Sequence, residues 1–284
     1  DRRRERCGYR PDMTFTNEST TDDVLDGIDL TGRRFVITGA ASGLGEESTR
    51  ALAAHGASVL MLARDPARND EAADRVRAEV PDADLSLDVV DLADLASIRS
   101  FAARFLDGGE AIDVLINNAG VMACPLGRTA DGFEMQFGTN HLGHFELTRL
   151  LAPAVIAGDQ PRIVNLSSAA HGISDVDLDD PNFEHTDFDA WISYGRSKSA
   201  NALHALALAR RFVDDGVLTS DLAVQAALAA METAGIPAEQ IDLIEQEGKH
   251  RYSATEASIH ARLREQFSSV LGVIATSTRD FSAA

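Results

Sequence analysis

Tyr194 and Lys198 stand four residues apart in the segment YGRSK. On a helix they share one face, and an ammonium beside a phenol favours the ionised form of a group whose ordinary pKa is about 10. Such a phenol can exchange a proton with the oxygen of an alcohol or a carbonyl. Lys198 and Lys249 are the only lysines among 26 basic residues, so this compact ammonium sits where composition favours arginine. Alone, the pair also fits a surface contact on a helix without chemistry. Its companions are Ser167-Ser168, Asn117-Asn118-Ala119-Gly120 and Gly138-Thr139-Asn140-His141.

A second chemistry is written in Thr38-Gly39-Ala40-Ala41-Ser42-Gly43-Leu44-Gly45, which follows an apolar strand-like run and opens a helical one. Glycines in that context let backbone approach a pyrophosphate, and the helix beginning near Gly43 meets the anion with unpaired N–H groups. Downstream, Ala63-Arg64-Asp65 puts no acid where a ribose 2′-hydroxyl would be gripped, and an arginine next to it. That pattern favours NADP(H) over NAD(H), the alternative being a surface pairing of Arg64 with Asp65 or Asp70.

Strands are expected at 34–38, 58–62, 85–90, 114–117 and 162–166, each a short, continuous apolar run. Helical periodicity covers 46–55, 70–80, 92–106, 133–157 and 194–212. The alternation predicts an α/β fold, a Rossmann-type doubly wound parallel sheet with helices on both faces and an atypical C-terminal segment. Ligands of such sheets bind beyond the carboxyl ends of the strands, where all the motifs above fall. The Asp-rich stretch 171–190 lacks periodicity and reads as an exposed loop.

With 284 residues and 44% hydrophobic content the chain can bury a sizeable core. Its formal net charge of -19 repels phosphate backbones and anionic lipid, so nucleic acid is not the expected partner. No apolar run approaches the roughly 18 residues of a membrane helix, and the Arg-rich start at 1–12 lacks a signal-peptide core. Cys7 and Cys124 lie too far apart for a metal motif and cannot make a disulfide framework. A soluble, cytoplasmic protein without membrane insertion is expected. His141, His144 and His171 have no carboxylate or cysteine at ligand spacing, so no metal is expected.

The ordered set TGAASGLG, Asp91-Leu92, NNAG, GTNHLGHF, SSAAH and YGRSK resembles the short-chain dehydrogenase/reductase family over about residues 30–219. LARDPAR, NNAGVM, TNHLGHFELT and the long interval from Ser168 to Tyr194 look most like the branch of retinol dehydrogenases and protochlorophyllide reductases. The resemblance implies Tyr194 as acid/base, Lys198 lowering its pKa and holding the nicotinamide ribose, and Ser168 polarising the substrate oxygen. Ser168 is preferred over Ser167 because the second serine of such a pair faces the tyrosine in the family. Asn140 would support a proton-relay water, Asp91 the adenine amino group, and Asn118, Ala119 and Gly120 the adenosine side, Asn118 also bracing the sheet. NADP(H) is the branch's usual cofactor, the substrate is a small-molecule alcohol or carbonyl, and family dimers and tetramers make a homo-oligomer an open expectation.

Three segments are expected: an N-terminal arm over 1–29, partly disordered, the dinucleotide-binding oxidoreductase domain over 30–219, and a mainly helical segment over 220–284. The family's sixth strand begins in GVLT at 216–219, after which no Pro-Gly turn, nicotinamide cover or substrate lid is recognisable. Residues 219–244 and 272–283 are instead similar to a fragment of thiolase-fold ketoacyl synthases, without their Cys, His and Asn residues. Beside the oxidoreductase, two other functions stay open: a nucleotide-binding module without turnover, and an inactive fusion.

Overall fold

The computed structural model describes residues 19–211 and 218–221. The mainly helical segment expected over 220–284 lies outside them apart from its first residues, and with it the stretches expected to resemble ketoacyl synthases, as does the arm before Ser19. The elements in order are α1 (Thr21–Leu25), β1 (Arg34–Thr38), α2 (Gly43–Ala54), β2 (Ser58–Ala63), α3 (Pro66–Glu79), β3 (Asp84–Val89), α4 (Leu95–Asp107) and β4 (Val114–Asn117). There follow α5 (Met135–Phe137), a π-helical turn (Gly138–Leu142), α6 (Gly143–Ile156), β5 (Arg162–Asn165), a 3-10 turn (Ala169–Gly172), α7 (Ala190–Arg211) and β6 (Leu218–Asp221).

The strands form one six-stranded sheet in the order β3-β2-β1-β4-β5-β6. β1 runs parallel to β2 and β4, with Val36 opposite both Leu60 and Leu115, and β2 runs parallel to β3. The central strands are apolar without alternation because both faces are covered: Val36, Ile37, Val59, Met61, Leu62, Leu115 and Ile163 are all fully buried. Each such side chain contributes about 1.5–3 kcal/mol of transfer free energy. The outer strand β3 is only half-buried and carries Asp84 and Asp88, charges that discourage pairing with another chain. The sheet has a sixth strand where the sequence match to the family breaks off, so the edge is extended to Asp221.

Helix starts are set by caps rather than by the first apolar residue. Asp65 accepts from the N–H groups of Ala67 and Arg68 ahead of Pro66, so α3 begins four residues before the expected 70. Asp94 does the same for α4, which starts at Leu95 rather than 92. Asp189 accepts from Trp191 N and Ile192 N and starts α7 at Ala190, a full turn before Tyr194. Inside the expected arm, α1 is closed by a capping box between Thr20 and Asp23, and Arg50 of α2 binds Asp22 at 2.9 Å.

The described residues divide into two compact units: 19–120, 146–164 and 218 in the first, and 121–145, 165–211 and 219–221 in the second. The core of the first packs Phe35, Ile37, Val59, Met61 and Val114 against Ala53, Ala72 and Ala73 of the helices. In the second, Phe137, Leu142 and Ala200 form a smaller cluster backed by Phe133 and Val176.

The acidic stretch 171–190 is a largely exposed loop, as expected, but an anchored one: it has no strand or long helix, and Asp180 and Phe183 within it are each 7% exposed. The Asp180 carboxylate accepts from Glu184 N, His185 N, Thr186 N and Thr186 Oγ1. Burial pulls its carboxyl up, and these bonds outweigh that pull and hold it at about 2. Arg196 of α7 lies 4.1 Å over the Phe183 ring and donates to Asp180 O and Asp177 Oδ2. Charges that suggested a solvated face are thus spent on turning the chain and anchoring it to α7. Among the described residues no helix is long and apolar enough to cross a membrane, and no three His, Cys, Asp or Glu converge on a metal position.

Candidate active site

In the first unit the glycine turn is built around Thr38, whose fully buried hydroxyl accepts from Asn118 N at 2.9 Å and Ala119 N at 3.0 Å. Asn118 returns the contact through Nδ2, which donates to Thr38 O at 2.8 Å and Gly39 O at 3.4 Å. The end of β1 is therefore locked to the end of β4, and the Asn118 side chain is a brace, leaving its backbone and that of Ala119 and exposed Gly120 to border a ligand. Thr38 lay inside the quoted motif without a role assigned to it. Neighbouring Asn117 donates to Thr148 Oγ1, another buried tie absent from the sequence reading.

The glycines divide by what a side chain would meet. A Cβ at Gly39, whose φ is +67°, would lie 2.8 Å from Ala119 Cα. At Gly45 it would strike the Gly39 carbonyl oxygen and come within 2.6 Å of Asn118 Nδ2. Gly43, with φ +56°, has nothing within 4 Å of its Cβ position. Two glycines thus serve the close packing of the turn on its helix, and the third faces open space. There the N-cap Ser42 makes no side-chain cap bond, Ser42, Gly43 and Leu44 are exposed, and the first N–H groups of α2 lack intrahelical acceptors. The acid of that turn, Glu46, is bound by Arg75 at 2.7 and 2.9 Å. This cradle fits a dinucleotide's pyrophosphate.

Arg64 follows β2 directly and is exposed, and it has no ion pair among the described residues. Asp65, its expected partner in the surface alternative, caps α3 and lies 3.9 Å from Arg68 instead. Asp91 is half-buried, with Oδ1 accepting from Ala93 N at 2.9 Å. Leu92 is 6% exposed, so its side chain belongs to the core and only its backbone is left for a ligand.

In the second unit α7 carries Tyr194 and Lys198 on one face, as the spacing predicts. Lys198 is 4% exposed, donates Nζ to Leu166 O at 3.1 Å, and lies 5.4 Å from the centre of the Tyr194 ring. Burial of an ammonium is costly unless it is held by acceptors, and the carbonyl at the end of β5 is one. Gly195 lets α7 approach the 3-10 turn, since a Cβ there would lie 2.9 Å from Ala170 O.

The two serines separate on donor accounting. Ser167 Oγ donates to Lys198 O at 2.9 Å, so its proton is spent on holding α7. Ser168 Oγ accepts from Ala170 N at 3.2 Å, which occupies a lone pair and leaves the hydroxyl proton for another acceptor. Asn140 is fully buried in the π-helical turn, accepting from Val121 N at 2.8 Å and donating to Val121 O and to Ser197 Oγ. Ser197 donates in turn to Tyr194 O, linking Asn140 to the backbone of the tyrosine. The Asn140 side chain is thus a positioning group, and the backbone carbonyl of Asn140 accepts from His144 Nδ1 at 2.8 Å.

His144 belongs to a group with half-buried His141 and buried His204, the last two in edge contact at 5.8 Å. Burial lowers all three, His141 and His144 to about 4 and His204 to about 3, with Lys198 adding to the effect on His144 and the neighbouring histidines to that on His204. Unfolded histidines take up protons from about pH 6.5 downward, whereas the folded ones stay neutral until about pH 4. Stability is therefore full above pH 6.5 and falls as the pH drops toward 4. We expect the thermal midpoint to fall by at least about 10 °C between pH 7.5 and 4.5, and less in His204→Leu. The carboxylates held low, Glu47 and Asp180 at about 2, act only below that window. Equal midpoints at the two pH values would contradict a neutral histidine cluster.

A family model for short chain dehydrogenases matches residues 33–177. Human retinol dehydrogenase 13 is 42% identical over 193 residues, covering 68% of this chain and 58% of its own length. Mouse retinol dehydrogenase 12 is 43% identical over 190 residues, covering 67% and 60%. The chain thus spans about three fifths of the length of these curated relatives. Among solved structures, an uncharacterized protein from Mycobacterium paratuberculosis shares 40% identity at a TM-score of 0.60 over 68% of each chain. The RhlG/NADP active-site complex of Pseudomonas aeruginosa shares 25% at 0.55, over 68% of this chain and 72% of its own. The glycine turn braced by Asn118, the Tyr194–Lys198 face and these matches agree: the chain belongs to the short-chain dehydrogenase/reductase family, in the branch that holds the retinol dehydrogenases.

Proposed function

We propose that this chain is an NADP(H)-dependent oxidoreductase interconverting an alcohol and a carbonyl on a small or lipophilic substrate. The observation that carries the proposal is the buried ammonium of Lys198, fixed to Leu166 O and set 5.4 Å from the centre of the Tyr194 ring. The dinucleotide would be held by Gly39, Ser42, Gly43, Leu44 and Gly45 at its pyrophosphate, by Asp91, Leu92, Asn118, Ala119 and Gly120 at its adenosine, and by Arg64 at its 2′-phosphate. The chemistry that the bound nicotinamide supplies is hydride exchange with the substrate carbon.

The protein's own groups handle the oxygen. In reduction Ser168 donates its unspent hydroxyl proton as a hydrogen bond to the carbonyl oxygen, stabilising the negative charge that grows there. Tyr194 delivers a proton to the same oxygen, and Lys198 sets positive charge beside the phenolate left behind. Asn140 and Ser197 hold the tyrosine's backbone. In oxidation each transfer runs in reverse. A cytoplasmic location belongs to the same proposal, supported by two cysteines without a disulfide framework, and the net charge of -19 supports a small-molecule partner over a polyanion.

The cofactor choice is tested by titrating NADPH and NADH against the purified chain and following nucleotide fluorescence. Arg64→Ala is expected to weaken NADPH about 10- to 100-fold, the worth of a charge-assisted hydrogen bond to phosphate, and to leave NADH unchanged. Equal effects on both nucleotides would show that Arg64 does not read the 2′-phosphate. Binding of neither by the unaltered chain would overturn the oxidoreductase itself.

A further inference from the structure

Trp191 is the only tryptophan in the chain, and it is 51% exposed one helical turn before Tyr194. The two rings stand 6.2 Å apart at 84°, edge to face. An indole is among the costliest side chains to leave in water, and this one is not on a loose segment. The backbone N–H of Trp191 donates to Asp189 Oδ1 at 2.8 Å, and the preceding Ala190 O accepts from Gln136 Nε2 at 2.8 Å.

Gln136 is fully buried and uses its other amide atom to accept from Ala123 N at 2.8 Å. One amide therefore ties the first turn of α7 to the segment that carries Met122, which is 61% exposed between clamped neighbours. Ile173, 52% exposed, closes the 3-10 turn that Ser168 caps, its Cβ 3.3 Å from the Cβ position of Gly195 next to Tyr194. Three exposed apolar side chains are thus mounted on tied backbone: Trp191 in the first turn of α7, Ile173 against Gly195, and Met122 next to Ala123, which Gln136 joins to Ala190.

We infer that Trp191 is a specificity-determining residue that stacks on an aromatic ring bonded to the substrate carbonyl, with Met122 and Ile173 completing the apolar wall. The inference rests on the oxidoreductase proposed above. Aromatic pairs gain beyond simple burial, so the wall favours an aryl carbonyl over a saturated one of the same size.

Benzaldehyde and cyclohexanecarboxaldehyde are matched probes. We expect the unaltered chain with NADPH to prefer benzaldehyde in kcat/KM, Trp191→Ala to lower kcat/KM for benzaldehyde about tenfold and to leave cyclohexanecarboxaldehyde within about threefold, and Trp191→Phe to keep most of the preference. A parallel loss on both aldehydes, or no loss on either, would overturn the assignment while leaving the oxidoreductase standing. Fluorescence of the single tryptophan gives a readout free of turnover: saturable quenching by benzaldehyde, and weaker quenching by its saturated counterpart, is expected in the Tyr194→Phe protein as well. Saturable aryl-selective quenching without turnover of any carbonyl would keep the wall and remove the redox reading. Linear, unselective quenching would remove the wall.

Discussion

Tyr194→Phe is expected to lower kcat for carbonyl reduction by about 100- to 10,000-fold, the range for loss of a general acid, while NADPH binds as before. The substitution removes one oxygen and little else. Asp189 still caps α7, Ser197 still donates to the backbone carbonyl of residue 194, and the edge contact with Trp191 needs only the ring. The hydroxyl itself has no hydrogen-bond partner among the described residues, so its loss strands no buried group. A variant within about threefold of the parent in kcat would remove Tyr194 from the chemistry.

The second large effect is expected at Gly45, and Gly43 provides the contrast. Gly45→Ala drives a methyl group into the Gly39 carbonyl and the Asn118 brace, both tied to β1 and β4, so the turn cannot yield without losing those bonds. A cost of about 1–3 kcal/mol in stability follows from overpacking, and NADPH affinity falls at least about tenfold as the cradle opens. Gly43→Ala meets no atom but must hold φ at +56°, a strain of about 1–2 kcal/mol, and its methyl points into the space a pyrophosphate needs. Melting curves and nucleotide titrations on both variants separate packing from binding. A Gly45→Ala protein with parental stability and affinity would show that the turn is not held as described.

Much of this was legible because it is written in runs of one residue class. The strands at 34–38, 58–63 and 114–117 carry unbroken apolar runs at 35–37, 59–63 and 114–116, since parallel strands are buried on both faces. The glycine turn and the Tyr194–Lys198 face were legible because φ and spacing admit few alternatives. Helix starts were misplaced where an aspartate cap sets them, read late at Asp65 and Asp189 and early at Asp94. The π-helical turn at Gly138–Leu142 was not separated from the single helical periodicity read over 133–157, because i→i+5 bonding has no residue signature of its own.

Roles that depend on a partner distant in sequence were not legible at all. Thr38 meets Asn118 across 80 residues, and Gln136 joins Ala123 to Ala190. Arg196 turned an apparently solvated acidic stretch into an anchored loop. The choice between Ser167 and Ser168 came from resemblance in the sequence and gained a physical reason only when the protons could be assigned to acceptors.

The most direct measurement is deuterium transfer. The purified chain is incubated with NADPH deuterated at nicotinamide C4, on each face in turn, and with benzaldehyde and other small aldehydes and ketones, and the alcohols are examined by mass spectrometry. Deuterium on the carbinol carbon with one of the two labelled cofactors, and its absence with Tyr194→Phe, is the expected result. Saturable NADPH binding with no label in any alcohol would contradict it and leave a nucleotide-binding module in place of an oxidoreductase.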